Sequence, residues 1–314
     1  MEIEIQRYTP DRQDEWNQFV AASKNGTFLF DRGYMDYHQD RFRDHSLMFW
    51  RDGELYALLP ANVRDDVLYT HQGLTYGGFV LGCKATTVHV MEAFTQLNQL
   101  LEEEGIRRVV YKAKPWIYHL LPAEEPLYAM HRTCNYRLLE RDISSTIVMQ
   151  HPVKWKKDRR HGVRVALDRG VQVTLSNDYE GFWTILTENL LTCHGVKPVH
   201  TLAEIQLLHS RFPKQIQLYA ATLEGRMLGG CVVYVTAQVV HTQYISATPE
   251  GKKLGAVDAI IDMLVNGKLF PSHTYLDFGK STESHSDMLN ANLLYQKEGF
   301  GARAVCYDTY EWTV

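Results

Sequence analysis

Polar side chains are concentrated in the segment Val239–Ala247, which the sequence predicts to be a β-strand. Side chains alternate across a strand, so two faces are expected: His241, Gln243 and Ile245 on one, and Thr242, Tyr244 and Ser246 on the other. A buried polar group without a partner costs about 1–3 kcal/mol. We therefore expect a substrate cleft, with His241 as a catalytic candidate and Gln243, Tyr244 and Ser246 as substrate-binding candidates. The alternative is that His241 and Gln243 bond to neighbouring loops and only hold the fold together.

A second group of titratable side chains lies between two helical segments, from Cys193 to His200. It brings His194, Lys197 and His200 close in sequence to Glu204. Histidine titrates near neutral pH, which suits removal of a proton from an ammonium group. His200 and Glu204 are thus catalytic candidates, and His194 and Lys197 are substrate-binding candidates; a helix cap with surface imidazoles is the alternative. The histidine spacing is not that of a helical zinc pair, so no metal site is predicted.

The end of a later short strand carries Asp277, with Gly279 and Ser281 behind it. Ligands of open α/β sheets gather at such carboxyl ends. We expect Asp277 to act in catalysis by orienting a substrate amine or a histidine, and the alternative is that it caps the following loop. Ser281, and Asn290 and Lys297 on the next predicted helix, are further substrate-binding candidates.

The segment after the polar strand is a candidate anion-binding turn. A helix is predicted to begin at Gly255, and the backbone N–H groups of a first helical turn have no partner within the helix and share the positive end of its dipole. A pyrophosphate placed there is stabilised without any particular side chain. The candidate cofactor-binding residues are Thr248, Gly251, Lys252, Lys253, Leu254, Gly255 and Ala256.

The elements that must position these residues follow a similar order in both halves of the chain. The N-terminal half is predicted to have strands ending at Arg51, over Glu54–Arg64 and from Val67, then helix Thr87–Glu104 and strand Arg108–Lys112. The C-terminal half is predicted to have strands Ile216–Thr222, Met227–Val235 and Val239–Ala247, helix Gly255–Val265, strand Tyr275–Phe278, helix Asp287–Glu298 and a last strand near Arg303–Trp312.

The spacing of turn glycines indicates duplication of one domain. Gly53 and Gly225 are each followed fourteen positions later by a valine that opens the third strand, Val67 or Val239. We infer domains at residues 1–150 and 151–314, of class α/β (α+β), each a mixed, mostly antiparallel sheet flanked by helices. Two unrelated meanders that share a spacing by chance are the alternative.

Composition excludes several classes of protein. The 314 residues carry a formal net charge of -4, which does not draw the whole surface toward nucleic acid or anionic lipid. No segment has the length of apolar residues that a membrane span needs, and the N-terminus lacks a signal-peptide pattern, so cytoplasmic residence is expected. The cysteines are scattered and form no C-x-x-C pair, which indicates neither a disulfide framework nor a zinc site.

Short motifs occur along nearly the whole chain: Tyr76-Gly77-Gly78, Pro115–His119, Lys197–His200, His241–Ser246, Leu276–Thr282 and Lys297–Gly301. Together they resemble the tandem GNAT-type proteins of the acyl-CoA N-acyltransferase superfamily that are related to the Fem peptidoglycan aminoacyltransferases. The resemblance implies two tandem GNAT-like domains and acyl transfer to an amine, from acyl-coenzyme A in most of the superfamily and from aminoacyl-tRNA in the Fem branch. It also implies Tyr295 as general acid for a leaving thiolate, with packing of its ring as the alternative. The superfamily's phosphate-loop pattern is only partly met, by Lys252, Gly255 and Val257.

These observations predict an N-acyltransferase that moves an acyl group, such as acetyl, from acyl-coenzyme A to an amine of a small or cell-envelope-related acceptor such as an amino sugar. The C-terminal half is expected to carry the chemistry, and the N-terminal half to be non-catalytic. One alternative is a tRNA-dependent aminoacyltransferase of the Fem type, in which the basic segment Lys154–His161 would meet phosphates. The other is a binding protein that keeps the fold without catalysis. The sequence leaves the oligomeric state open.

Overall fold

The computed structural model describes residues 3–282 and 288–314, apart from the side chain of His194. Contacts divide the chain into two units, one of Met1–Asp142 with Cys306–Val314 and the other of Ile143–Val305. The last residues of the chain therefore belong to the first unit. The assignment of the chemistry to a domain that begins after residue 150 stays a prediction.

The first unit mixes strands and helices. Its strands are β1 (Glu4–Arg7), β2 (Arg43–Asp44), β3 (Leu47–Arg51), β4 (Glu54–Leu59), β5 (Asn62–Arg64), β6 (Val67–Tyr69), β7 (Val80–Leu81), β8 (Arg108–Lys112) and the start of β9 (Tyr136–Val148). Its helices are α1 (Gln13–Ala22), α2 (Arg32–Met35), α3 (Thr87–Glu103) and α4 (Glu125–Thr133).

The second unit follows the predicted order with a few additions. Its helices are α5 (Lys157–Asp168), α6 (Tyr179–His194), α7 (Leu202–Arg211), α8 (Pro249–Lys253), α9 (Ala256–Asn266) and α10 (Ala291–Gly299). Its strands are β10 (Gln172–Ser176), β11 (Ile216–Leu223), β12 (Arg226–Val235), β13 (Val239–Ala247), β14 (Tyr275–Lys280) and the start of β15 (Arg303–Thr313). The predicted helix start at Asp287 lies outside the described residues.

The predicted strand Glu54–Arg64 is wrong in one respect, because the structure divides it at Pro60. β4 pairs with β3 and β7 in one sheet, whereas β5 pairs with β2 and β6 in another. Proline has no backbone N–H to donate to a ladder, so a strand is interrupted there. In the second sheet β6 and β8 run parallel, and β15 pairs antiparallel with β8.

The sheet of the second unit has the order β10, β11, β12, β13, β14, β9. Its pairs are antiparallel except for β13 with β14, which is the mixed, mostly antiparallel sheet that the sequence predicts. One face packs on α9 through a buried cluster that includes Val240, Leu276 and Ile260. The opposite face receives α6, whose Phe182 ring packs against Gly230 of β12.

The register of β13 against β12 changes at Gln243. Thr242 lies opposite Val233 and Tyr244 lies opposite Val232, so Gln243 is the extra residue of a β-bulge. Val232 and Val233 are neighbours on one strand and point to opposite faces. Thr242 and Tyr244 therefore point to opposite faces as well.

The predicted faces of β13 are wrong beyond this bulge. His241, Tyr244 and Ser246 share one face, because their partners on β12 alternate without interruption. The side chains of Tyr244 and Ser246 meet α6 on that face, whereas Ile245 packs with the cluster under α9. One inserted residue thus gathers the polar side chains that strict alternation would have separated.

Candidate active site

The parallel strands β13 and β14 stop pairing at one level of the sheet. The ladder joins Val239 to Tyr275, Val240 to Leu276 and His241 to Asp277. Both strands continue beyond this last pair, β13 to Ala247 and β14 to Lys280. On its other side β14 also changes register after Asp277, where two of its residues lie opposite one residue of β9. The two strands therefore separate just beyond His241 and Asp277.

His241 and Asp277 form a hydrogen-bonded pair at this point. His241 Nδ1 lies 3.0 Å from Asp277 Oδ2, and the carboxylate is 0% exposed. Its other oxygen accepts hydrogen bonds from the hydroxyls of Ser144 and Thr146 on β9, the second at 3.0 Å. Hydrogen bonds to a carboxylate favour its charged form, so the two hydroxyls stabilise the Asp277 carboxylate beside the imidazole.

This arrangement is that of a general base held by a carboxylate. When Asp277 accepts the Nδ1–H of His241, the imidazole carries its lone pair on Nε2. Gly279 has a φ of +73°, and a Cβ placed on it would lie 3.0 Å from Cε1 and 3.6 Å from Nε2 of His241. A glycine at this position leaves the Nε2 edge of the ring without a neighbouring side chain from residue 279. A histidine held by a carboxylate in this way can act as a general base.

Lys297 of α10 fixes the end of β14. Its Nζ donates to the carbonyl oxygens of Gly279 and Lys280 at 2.7 and 2.8 Å and to Ser281 Oγ at 2.9 Å. These three acceptors match the three N–H groups of an ammonium. Burial lowers the pKa of Lys297 to about 8, while the charge of Asp277 raises it. The ammonium form therefore predominates at neutral pH and holds Gly279 against His241.

His200 and Tyr244 form a second hydrogen-bonded unit on the His241 face of the sheet. The Tyr244 hydroxyl lies 2.6 Å from His200 Nδ1 and accepts the backbone N–H of His200 at 3.2 Å. Trp183 of α6 donates to the carbonyl oxygen of His200 at 3.2 Å and packs edge-on against the Tyr244 ring. Burial raises the pKa of Tyr244. A loop residue and a strand residue that the sequence placed in separate groups are thus brought together.

Asn189 of α6 connects β13 to the segment after it. Its Nδ2 donates to Ser246 Oγ at 2.6 Å and to the carbonyl oxygen of Ala247 at 2.8 Å, and its Oδ1 accepts from Lys252 Nζ at 2.8 Å.

Gln243 Oε1, at the bulge, is a buried atom that finds no hydrogen-bond partner among the described residues. Buried polar atoms are nearly always paired. Gln243 is therefore a position where a bound molecule would supply the missing donor.

The start of α9 is occupied by the protein itself. A Cβ on Gly255 would lie 2.2 Å from the carbonyl oxygen of Gly162 on α5. Asp258 in the first turn pairs with Arg159 at 3.0 Å and accepts a hydrogen bond from its own backbone N–H. Burial raises the pKa of Asp258, and Arg159 lowers it. The anion-binding turn expected at Gly255 and Ala256 stays a prediction; in the structure α5 packs against Gly255, and the Asp258 carboxylate lies in the first turn of α9.

The remaining part of the predicted loop is the short helix α8. Thr248 caps it, with its hydroxyl accepting the Gly251 N–H at 3.0 Å. Gly251 is buried against the carbonyl of Leu228, which leaves no room for a side chain. Leu254 is half-buried, and Lys253 is exposed. The predicted cofactor-binding residues are thus mostly used in local structure.

Solved structures match this architecture over nearly the whole chain. FemX is 11% identical, with a TM-score of 0.70 over 99% of this chain and 97% of FemX. L-PGS from Bacillus licheniformis is 11% identical, with a TM-score of 0.57 over 98% of this chain and 92% of that one. A tandem GNAT protein from the clavulanic acid biosynthesis pathway is 7% identical, with a TM-score of 0.55 over 99% and 98% of the two chains.

The chain has the tandem GNAT fold. The predicted fold class is confirmed, and so is the resemblance to GNAT and Fem proteins at the level of the fold. No family model matches the sequence. A search of curated proteins likewise finds no match.

Within this GNAT fold, several predicted site residues take part in local structure. Glu204 caps α7 by accepting the backbone N–H and the hydroxyl of Thr201 at 2.7 and 3.0 Å. Asn290 caps α10 by accepting the Leu293 N–H at 3.0 Å. Lys197 is an exposed loop residue. The side chain of His194 lies outside the described residues.

Tyr295, the expected general acid, lies on the surface of the second unit. It is 57% exposed, and Lys156 Nζ lies 3.5 Å from the centroid of its ring. The described contacts do not bring it to the His241–Asp277 pair. A surface tyrosine under a lysine fits the cation–π packing that was the alternative.

Sequence reasoning missed the hydroxyls that hold Asp277. Ser144 and Thr146 lie in the run Ser144-Ser145-Thr146, between the apolar residues Ile143 and Ile147 of β9. That run was a usable signal, because small polar residues inside a buried strand need partners. Asn189 and Arg159 gave no such signal, since each is an ordinary polar residue of an amphipathic helix.

The described residues contain no group of three or more side chains that could hold a metal ion. In the same part of the chain, no helix combines the length and the apolar character that crossing a bilayer requires.

Proposed function

We propose that this chain is an N-acyltransferase whose reaction takes place in the second unit, where β13 and β14 separate. The observation that carries the proposal is the buried His241–Asp277 pair, with Nδ1 and Oδ2 at 3.0 Å. A histidine held by a carboxylate is suited to deprotonate an amine. The tandem GNAT fold supports acyl transfer by analogy of fold alone.

In the proposed reaction, the amine nitrogen attacks the acyl carbonyl carbon while His241 Nε2 removes the proton of the amine, directly or through a water. Negative charge then develops on the carbonyl oxygen. We assign its stabilisation to backbone N–H groups of β13 beyond His241, where the ladder with β14 has ended. The bond to the leaving group breaks as the intermediate collapses, and the imidazolium of His241 returns the proton to the leaving oxygen or sulfur. No covalent enzyme intermediate is needed.

For the donor, our first candidate is an acyl-coenzyme A such as acetyl-coenzyme A, because the chain shares its fold with a tandem GNAT protein whose structure was described without AcCoA. Lys252 and Lys253 of α8 are the cations nearest in sequence to the covered turn. In this proposal they contact the phosphates from the α8 side.

The second candidate donor is an aminoacyl-tRNA, as in Fem-type transfer. The occupied start of α9 favours it, because Gly162 and Asp258 fill the position where a pyrophosphate would lie. An aminoacyl ester of tRNA brings no pyrophosphate to that turn. The exposed cations around the start of α5 would then meet the tRNA backbone.

The proposed acceptor is a primary amine of a small or cell-envelope-related molecule such as an amino sugar, and we place the reaction in the cytoplasm.

We also propose that the first unit is non-catalytic. In the parallel ladder of the first unit, the pair that corresponds to His241 and Asp277 is Tyr69 with Val110. Neither of these side chains is a general base at neutral pH.

The test is a turnover assay with two donors on one panel of amines. Acetyl-coenzyme A is followed by thiol release, and aminoacyl-tRNA by transfer of the labelled amino acid. Wild-type protein is compared with His241→Gln and with His151→Gln, a matched control because His151 is an exposed histidine of the same unit that lies outside the basic segment. Loss of turnover in His241→Gln alone supports the proposal, and the active donor decides between the two candidates.

Equal turnover of His241→Gln and wild type would refute the assigned base. A wild-type protein that binds both donors but transfers neither to any amine would instead point to the non-catalytic alternative.

A further inference from the structure

Strand β10 lies at a sheet edge and lacks the features that keep such an edge from pairing. Among the described strands it pairs with β11 alone, in an unbroken antiparallel register from Gln172 to Ser176. These five residues include no charged side chain and no proline, and the register shows no bulge. An edge strand presents unpaired backbone N–H and C=O groups, which proteins usually protect by charges, proline, a bulge or a short length. The outer edge of β10 is therefore suited to accept another strand.

The strands at the other sheet edges that the structure describes are protected. β1 carries Glu4 and Arg7 at its two ends, β2 consists of Arg43 and Asp44, and β7 has only two residues. Charge and short length both oppose pairing with a further strand. The missing protection is thus specific to β10, which indicates that this edge has a partner.

A groove lies beside β10 on the face of the sheet that α9 covers. Its volume is about 470 Å³, and its walls come from α5, β10 and α9. Leu167, Val173 and Met263 are among its apolar lining residues, and Asp262 and Asn266 of α9 contribute polar groups. The side chain of Leu167 is 64% exposed. Apolar surface therefore continues from the edge strand to the end of α5.

Leu175 is an exposed apolar side chain on the same face as this groove. It lies two residues after Val173, and it pairs with Tyr219 of β11, a member of the buried cluster under α9. Although its face is the one that packs on α9, Leu175 is 62% exposed. The strand thus carries both an apolar projection and part of an apolar groove.

Projection and groove are complementary when β10 meets a second β10 in antiparallel pairing about Thr174. All five residues then pair, and Val173 of each copy lies opposite Leu175 of the other. Both side chains point to the groove face, so each Leu175 comes to lie beside the groove of the other copy. A shift of one residue would turn Leu175 to the opposite face. The pattern of β10 therefore selects one register with itself.

We propose that β10 pairs with β10 of a second copy of this chain, joining the two sheets across a two-fold axis at Thr174. Such an interface uses the same surface on both copies. The flanking charges are complementary, because exposed Arg169 precedes the strand and exposed Asp178 follows it. Antiparallel pairing brings Arg169 of each copy toward Asp178 of the other. The surface lies wholly in the second unit and goes beyond the proposed function.

Sedimentation velocity of the full chain at increasing protein concentration tests the proposal. The wild type is expected to pass from monomer to dimer. Thr174 is exposed and lies at the axis, so Thr174→Lys and Thr174→Glu each place two like charges opposite one another. Either variant alone should dimerise about 10-fold more weakly or worse. Thr192→Lys is the matched control, because Thr192 is an exposed threonine on α6 of the same unit, and it should dimerise like the wild type.

An equimolar mixture of Thr174→Lys and Thr174→Glu should recover the dimer, because an ammonium then faces a carboxylate at the axis. This recovery also shows that both variants fold. Leu175→Ala should weaken dimerisation by about 10-fold, since the apolar contact is lost in both copies. A wild type that stays monomeric at every concentration, a dimer that Thr174→Lys leaves unchanged, or a mixture without recovery would each overturn the proposal.

Discussion

The two units carry different side chains at the same point of the same fold. In each unit one strand opens with a valine, Val67 of β6 or Val239 of β13, and pairs parallel with a later strand over three positions. The last of these pairs is Tyr69 with Val110 in the first unit and His241 with Asp277 in the second. The two units therefore share this parallel strand pairing. They differ in the side chains of the last pair, and only the second unit has a histidine and a carboxylate there.

The space beyond this pair also differs between the units. In the first unit, Gly77 donates to the carbonyl oxygen of Lys112 at 3.1 Å, and a Cβ on it would lie 1.4 Å from the carbonyl oxygen of Thr70. The chain thus fills the point where its own two strands separate. In the second unit, β14 is held there by Lys297 from outside the strand. Backbone thus fills the separation point of the first unit, whereas the candidate site lies at the corresponding point of the second.

The largest expected effect comes from removing the charge of the His241 partner. Asp277→Asn keeps the shape but changes the hydrogen bond to the imidazole, so kcat/KM should fall by roughly 10³-fold to 10⁴-fold. A change in the corresponding pair of the first unit, Tyr69→Phe, should leave kcat/KM unchanged. A comparable loss in Tyr69→Phe, measured in the same transfer assay, would break the comparison.

The next effect concerns the charge of Lys297. Its pKa is lowered to about 8, so the ammonium that holds β14 is present below that pH and is lost as the pH rises through it. Arginine stays protonated over this range. The ratio of kcat/KM for Lys297→Arg to that of wild type should therefore rise about 10-fold between about pH 7 and about pH 9.

Taking this ratio removes the titration of the substrate amine, which is common to both proteins. A ratio that stays flat across this range would show that the charge of Lys297 does not support the site.

A pair of glycine substitutions sharpens the comparison through stability. Gly279 and Gly105 both have positive φ, of +73° and +75°, so alanine at either costs about 1–2 kcal/mol of backbone strain. Only at Gly279 would the added Cβ meet a ring, that of His241 at 3.0 Å, and a contact this tight adds about 1 kcal/mol. Urea unfolding should show the larger loss for Gly279→Ala, and only that variant should also lose turnover. Equal losses in both assays would count against a close contact with His241.

The smallest effect is expected at Glu204. As the capping residue of α7, its replacement by alanine should lower the free energy of unfolding by about 0.5–1 kcal/mol and leave kcat unchanged. Glu204→Gln can keep the capping hydrogen bonds without the charge and should be nearly neutral in both measurements. A fall in kcat for Glu204→Gln would return Glu204 to the catalytic residues that the sequence first suggested.

Local patterns were sufficient to predict most of the second unit. The bounds of β13 were predicted to the residue and those of α9 within one residue, although α8 between them was predicted as a loop. The polar side chains of β13 and the Asp277 strand end were also found in this way. Each of these features depends on residues adjacent in sequence, where periodicity and turn glycines are reliable signals.

The contacts of the candidate site could not be predicted in the same way. The bulge at Gln243 left no pattern that distinguishes it from ordinary alternation, yet it moves Tyr244 to the face of His241. The covered turn at Gly255 depends on Gly162, almost a hundred positions earlier in the chain. The sequence predicted an open helix start at Gly255 because no residue near it in the chain indicates that α5 packs against this turn.

The sequence by itself determined which residues are polar, where several strands and helices of the second unit lie, and the spacing of turn glycines that the two halves share. The tertiary structure alone decided that His241 meets Asp277 and that Ser144 and Thr146 hold the carboxylate. The physical reason is range: hydrophobic periodicity acts between neighbours along the chain, whereas the energy of a buried charge depends on whatever the fold places within a few ångströms of it.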